Sequence, residues 1–158
     1  QFVAAGIQFI FDPGQGLPMF DGNDLNAYIE QASWVSVKDY ELQLMLERTG
    51  LSPLEIASKV EALIVTRGGE GSNIYTGEQR IDNPVATVGK LDDPTACGEA
   101  YRGGLLVGLM KELDWETTGR IAAHIGALKI EQPGTQNHGF TMEEFRERYQ
   151  ASFGQPLD

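Results

Sequence analysis

The sequence predicts an α/β domain, layered α/β/α around a largely parallel sheet, and three observations carry that reading. Short β-rich apolar runs alternate with segments of helical period along nearly the whole chain. Its 158 residues suffice for one domain with a real core. Hydrophobic residues at 41% and charged residues at 22% are globular proportions, which sets a disordered chain aside. Residues 1–158 therefore read as a single domain.

The elements follow in order. The run Ile7-Gln8-Phe9-Ile10-Phe11 is β-rich and stops at the turn signal Asp12-Pro13-Gly14. From Asp21 to Ala32, Leu25, Tyr28 and Ile29 recur at helical spacing, with Asp21 placed to cap. Trp34 to Val37 is a second strand, and Asp39 to Arg48 a helix ended by Gly50. Ser52-Pro53-Leu54-Glu55 is a capping box with proline at the first helical position, and Leu51 and Ile56 supply its staple. Ala62 to Val65 is a buried strand, leading into the glycine-rich turn 66–71 and a meander of short strands over 72–88. Gly98 to Met110 is apolar on nearly every side and predicts a central buried helix. Asp114 caps a helix with Ile121, Ile125 and Leu128 on one stripe, and Thr141-Met142-Glu143-Glu144 opens the last helix with Phe140 and Phe145 as staple.

Charge and cysteine narrow the function classes. Twelve Lys+Arg against 23 Asp+Glu give a formal charge of −11, a surface that repels nucleic acid and anionic membranes. No apolar run approaches the ~18–20 residues of a membrane span, and no secretory leader pattern stands at the start. Cys97 is the single cysteine, so no internal disulfide forms and a cytoplasmic setting is expected. The chain opens at Gln1 and runs directly into Phe2-Val3-Ala4-Ala5-Gly6, which reads as the interior of a longer protein.

The chemistry concentrates in residues 91–106, where small residues precede the helix that starts near Gly98. Unpaired N–H groups and the helix dipole make such a start suit a phosphate; the plainer reading is that glycine serves only close packing there. Asp93-Pro94-Thr95-Ala96-Cys97-Gly98-Glu99 resembles the Asp-x-Thr-Gly/Ala-x-Gly-Asp signature of the ribokinase (PfkB) family of sugar and nucleoside kinases. Three more stretches stand in that family's order. Residues 34–41 look like its strand followed by Asn-x-x-Glu, Thr66-Arg67-Gly68-Gly69-Glu70-Gly71 is similar to its Thr-x-Gly-x-x-Gly turn, and Gly134-Thr135-Gln136 resembles a late loop. The likeness runs from about Phe9 to Phe145 and corresponds to the C-terminal, nucleotide-binding half of such a kinase, truncated on its N-terminal side.

The resemblance implies transfer of the γ-phosphate of ATP to a hydroxyl of a sugar or nucleoside. Thr95, Ala96, Cys97 and Gly98 would form the anion hole, and Glu99 would take the proton of the acceptor hydroxyl. Glu41 would organise Mg²⁺, while Thr66, Gly68, Gly71 and Gly134 would border the nucleotide. A monovalent cation near the anion hole and the last loop is also implied. Such work is mostly positioning and charge stabilisation. Two residues depart from the pattern: Glu99 replaces the usual aspartate, shifting the carboxylate by about 1 Å, and Lys38 replaces the usual asparagine. With the acceptor-binding half outside the chain, turnover would need that half supplied in trans or the chain complementing itself.

A non-catalytic nucleotide-binding or structural domain derived from that fold is the competing reading, and an unrelated flavodoxin-like phosphate binder is a third. The strand near Ile7, left as a sheet edge, predicts a homo-oligomer. Cys97 reads as a small hydrophobe. His124 and His138 lack a zinc-ligand set; His124 reads as a helix-face residue, with lining a nucleotide pocket as the alternative. Glu143, Glu144, Arg146, Glu147 and Arg148 read as a solvated helix face, and Trp34 and Trp115 as core or capping aromatics.

Overall fold

The computed structural model describes residues 1–77 and 79–157. Glu78, inside the meander expected over 72–88, and Asp158, the end of the expected domain, lie outside the described residues. The contacts divide the chain into two compact units, one made of residues 1–68 and 72–82, the other of 69–71 and 83–158.

In the first unit, β1 (Ile10–Phe11) is shorter than the run 7–11 predicts. Ile10 and Phe11 pair in parallel with Trp34 and Val35, the Phe9 carbonyl accepts from the Ser33 and Trp34 N–H groups at 3.1 and 3.3 Å, and the Gln8 side chain donates to Glu61 at 2.9 Å. Helix α1 (Gly22–Gln31) starts at Asp21, whose carboxylate accepts from the Asn23 and Asp24 N–H groups. Strand β2 (Trp34–Lys38) leads into α2 (Asp39–Thr49), which ends at Gly50 with φ 72°, a left-handed stop that glycine adopts without strain. The capping box at Ser52 forms as its residues predict and opens the short α3 (Pro53–Ala57).

Strand β3 (Ala62–Thr66) lies parallel to β2 with Lys38 opposite Thr66. The chain then reverses, and β4 (Ser72–Thr76) pairs antiparallel with β3. With β5 (Gln79–Asn83) the sheet has the order β1-β2-β3-β4-β5, parallel through its first three strands. This is the mixed form of the predicted α/β sheet. Val35, Val37, Leu63 and Val65 from the strands meet Leu25, Ile29, Leu42, Met45 and Ile56 from the helices in one buried cluster. Burial of each such side chain stabilises the unit by roughly 1.5–3 kcal/mol.

The second unit is helical: α4 (Cys97–Met110), α5 (Trp115–Ile130) and α6 (Met142–Phe153). Small residues let α4 and α5 approach closely, Gly104 against Ala122 and Gly108 against Thr118. Helix α4 is not buried all round as its apolar composition predicts. Ala100, Tyr101, Gly104, Leu105 and Gly108 are buried, whereas Leu106, Val107 and Met110 are exposed. Ile121 and Leu128 of α5 pack with Phe145 and Tyr149 of α6. Asp114 and Thr141 cap their helices as expected, and the Phe140 and Phe145 rings lie 5.2 Å apart in the predicted staple. Arg148 leaves the solvated face assigned to it and pairs with Glu131 through two bonds of 2.8 and 2.5 Å.

Candidate functional site

The loop before α4 is pinned at several points within the second unit. The Asp92 and Asp93 N–H groups both donate to the Ile130 carbonyl at the end of α5, at 2.9 and 3.0 Å. One carboxylate oxygen of Asp93 accepts the Thr95 N–H at 2.9 Å and the other the Gly134 N–H at 2.8 Å. The first bond closes a tight turn, and the second reaches 41 residues along the chain. The Thr95 hydroxyl, the Thr95 N–H and the Gly134 N–H, in that order, with help from the Lys129 charge, hold the Asp93 pKa down to about 2. Lys129 is fully buried, and its Nζ donates to the carbonyls of Asp93 at 3.2 Å and Gln132 at 3.0 Å. Loop 93–96 and loop 132–134 are therefore joined through both ends of Asp93.

Ala96 sits in the left-handed region, φ 62° and ψ 15°, at the start of α4. That turn directs the chain into a helix without a side-chain cap, in which the Cys97 N–H donates to the Pro94 carbonyl at 3.2 Å and the Gly98 and Glu99 N–H groups follow at the open end. Together with the helix dipole they form a donor cluster suited to an anion. A side chain at Gly98 would meet nothing closer than the Arg102 guanidinium at 3.8 Å, so close packing within the protein does not explain this glycine. Cys97 donates weakly through Sγ to the Asp93 carbonyl at 3.8 Å, and burial pushes its thiol pKa up, away from nucleophilic character. Glu99 is exposed, with its carboxylate on the Arg102 guanidinium at 3.1 Å. Thr95, Ala96, Cys97, Gly98, Glu99 and Gly134 are thus brought together by the Asp93 bonds and the first turn of α4.

The first unit holds the other group. Lys38 and Thr66 face each other at the ends of parallel strands, and the Thr66 hydroxyl approaches the Val37 carbonyl at 3.5 Å. Glu41 is buried at 4% exposure. One of its oxygens accepts the Lys38 N–H at 2.7 Å and the other the Tyr40 hydroxyl at 3.3 Å, so the carboxylate closes the start of α2. The Lys38 ammonium lies 5.8 Å from the Tyr40 ring centre. Among the described residues, no group of three or more His, Cys, Asp and Glu is placed to hold a metal ion. Glu41 is a single carboxylate, and each of its oxygens already accepts one hydrogen bond. Gly68 has φ 54°. Gly71, which belongs with the second unit, has φ 87°, and a Cβ there would collide with the Asn83 carbonyl. Glycine is therefore obligatory at the end of the 66–71 turn.

Asp93 stands in the sequence motif without a role of its own, and Lys129 stands outside every motif. Its one available signal is a charged residue inside the apolar stretch Ala127-Leu128-Lys129-Ile130. His124 lies deeper than a helix-face reading predicts: it is fully buried, with its ring 4.6 Å from Phe145 and 6.1 Å from Tyr149. Desolvation, followed by the Arg148 charge, lowers its pKa to about 4. No helix among the described residues is long and apolar enough to cross a membrane.

Comparison with known proteins gives consistent matches. Residues 4–141 match the model of the pfkB family of carbohydrate kinases. A nucleoside kinase of Methanocaldococcus jannaschii is 34% identical over 138 residues, covering 87% of this chain and 46% of that protein. The structure of Burkholderia thailandensis nucleoside kinase in complex with inosine superposes with a TM-score of 0.94 at 46% identity, covering 99% of this chain and 52% of that one. The same kinase in complex with ADP-inosine gives 0.94 and 46% over 98% of this chain and 49% of that one. The fold is thus ribokinase-like, and the chain spans about half the length of the relatives it matches.

Proposed function

Since the chain belongs to the pfkB family of carbohydrate kinases, we propose that it is the nucleotide-binding portion of a kinase that transfers the γ-phosphate of ATP to a hydroxyl of a nucleoside or sugar. The observation that carries this reading is the loop 93–98, fixed by Asp93 to Gly134 and opening on the uncapped start of α4. The nucleoside class is favoured by relatives that are nucleoside kinases, one of them solved with inosine.

ATP, when bound, supplies the phosphoryl group and the leaving ADP. In this reading the residues of the chain position and neutralise. In the second unit the Gly98 and Glu99 N–H groups would face the phosphate, Gly98 leaves room for it and Gly71 and Gly134 would border the nucleotide; in the first unit Thr66 and Gly68 are the nucleotide-bordering positions that the family resemblance implies. Glu99 takes the acceptor's proton, for which its carboxylate must leave Arg102. Glu41 would be the carboxylate that organises Mg²⁺, whose charge would neutralise the phosphates. The acceptor is chosen by residues of a complementary half, we place the protein in the cytoplasm, and the β1 edge, near exposed Phe2, Val3 and Ile7, is a surface for self-association.

A second reading is favoured by the Glu99–Arg102 pair: the nucleotide binds, but no hydroxyl is deprotonated. The two separate in a phosphoryl-transfer assay over nucleosides and sugars, with the chain alone and mixed with the N-terminal half of a nucleoside kinase. Product that disappears in Glu99→Gln supports the kinase reading. Product unchanged by that substitution removes Glu99 as the base, and no product in any mixture leaves the binding role.

A further inference from the structure

We propose that Lys129 is a positioning residue that serves as a built-in monovalent cation, its ammonium fastening the loop before α4 to the loop that carries Gly134, so that the site needs no added potassium-like ion. The inference rests on the nucleotide-site reading above. Lys129 is fully buried on α5 between Leu128 and Ile130, and its Nζ reaches two backbone carbonyls from different segments, Asp93 at 3.2 Å and Gln132 at 3.0 Å. Carbonyl oxygens gathered from two loops are what an alkali cation takes as ligands. A primary ammonium is of similar size and charge and adds directed hydrogens.

The position is better connected than a structural tie requires. Asp93 offers its carbonyl to Lys129 while its carboxylate orders the Thr95 and Gly134 N–H groups, so one ammonium fixes the peptide from which the whole loop hangs. The Lys129 charge also acts on the Asp93 carboxylate and on the Cys97 thiol at the first position of α4, adding to the positive potential where an anion would lie. An added cation drawn to the same carbonyls would stand against this ammonium, and like charges that close repel strongly in a buried setting. The monovalent cation implied by family resemblance therefore does not fit these two carbonyls.

Melting and ATP titration of the chain in potassium, ammonium and choline chloride at equal ionic strength test the idea. The native chain should melt at the same temperature and bind ATP equally in all three. Lys129→Ala should melt about 5 °C lower and bind ATP about tenfold more weakly in choline, with both losses partly restored by potassium or ammonium. Lys129→Met, which fills the space without donors, should show the losses and no restoration. Stronger binding or a higher melting point of the native chain in potassium would overturn the proposal. So would wild-type ATP affinity in a folded Lys129→Met, or an alanine variant indifferent to the cation. Absence of ATP binding by the native chain would instead defeat the nucleotide-site reading, while the melting comparison still decides the cation role.

Discussion

Gly104 and Gly103 are adjacent on α4, yet alanine should act on them with opposite sign. A Cβ at Gly104 would lie 2.5 Å from the Ala122 Cα and 2.9 Å from the Ala122 nitrogen. Both are backbone atoms of α5, so no rotamer change relieves the clash and the helices must part by about 1 Å. Overpacking of that kind costs about 1–3 kcal/mol. A Cβ at Gly103 would meet nothing within 4 Å. Both substitutions gain the same ~0.5–1 kcal/mol from replacing glycine inside a helix, so it cancels in the comparison. The Gly104→Ala chain should thus be less stable than the Gly103→Ala chain by about 1–3 kcal/mol, each kcal/mol appearing as ~2–4 °C in melting temperature. Urea unfolding of the two variants measures it. Because the loop before α4 hangs from both helices, Gly104→Ala should also weaken nucleotide binding, whereas Gly103→Ala should not. Equal unfolding midpoints would refute the close approach of α4 and α5.

Three further outcomes follow from the second unit. His124 has a folded pKa of about 4 against an unfolded value near 6.5, so the unfolded chain takes up the proton first as pH falls. Its stabilising effect is whole above pH ~6.5 and declines by roughly 3 kcal/mol on acidification to about 4, so urea midpoints should fall more steeply with acid in the native chain than in His124→Gln. Parallel pH profiles would contradict the burial of the imidazole. Asp93, with a pKa of about 2 against an ordinary value of 3.8, contributes its full stabilisation above the unfolded value and loses it progressively as pH falls from there through about 2. Asp93→Ala should free the Thr95 and Gly134 amides to exchange faster with deuterium and should weaken ATP binding; unchanged exchange would show that the two loops are held by other bonds. Ala96→Gly should relieve left-handed strain of ~1–2 kcal/mol, partly offset by backbone entropy, for a net gain of about 0.5–1 kcal/mol. A lower unfolding midpoint would mean that the Ala96 methyl is itself packed.

What the sequence made legible was local. The caps at Asp21, Ser52, Asp114 and Thr141 each depend on residues within three positions, and each forms. The loop before α4 was legible for the same reason, as an ordered run of small residues before a helix. Strand β1 was overestimated because an apolar run records which residues avoid water, not which backbone groups find a partner. Helix α4 was read as buried on all sides because composition does not say which face is covered, and Leu106, Val107 and Met110 remain exposed. The ties that shape the site were beyond reach. Asp93 meets Gly134 across 41 residues and Lys129 across 36, and nothing in spacing or periodicity reports such pairs.

The central claim is that the start of α4 receives the phosphates of a nucleotide, and calorimetric titration of the chain with ATP, with and without Mg²⁺, tests it most directly. Gly98→Leu is the informative companion, because room at that position lets the variant fold while its side chain enters the space reserved for the anion. Saturable binding by the native chain, weakened in Thr95→Ala and lost in Gly98→Leu at unchanged melting temperature, is the predicted result. Affinity that is the same in all three proteins, or heat no greater than dilution for the native chain, would contradict the account.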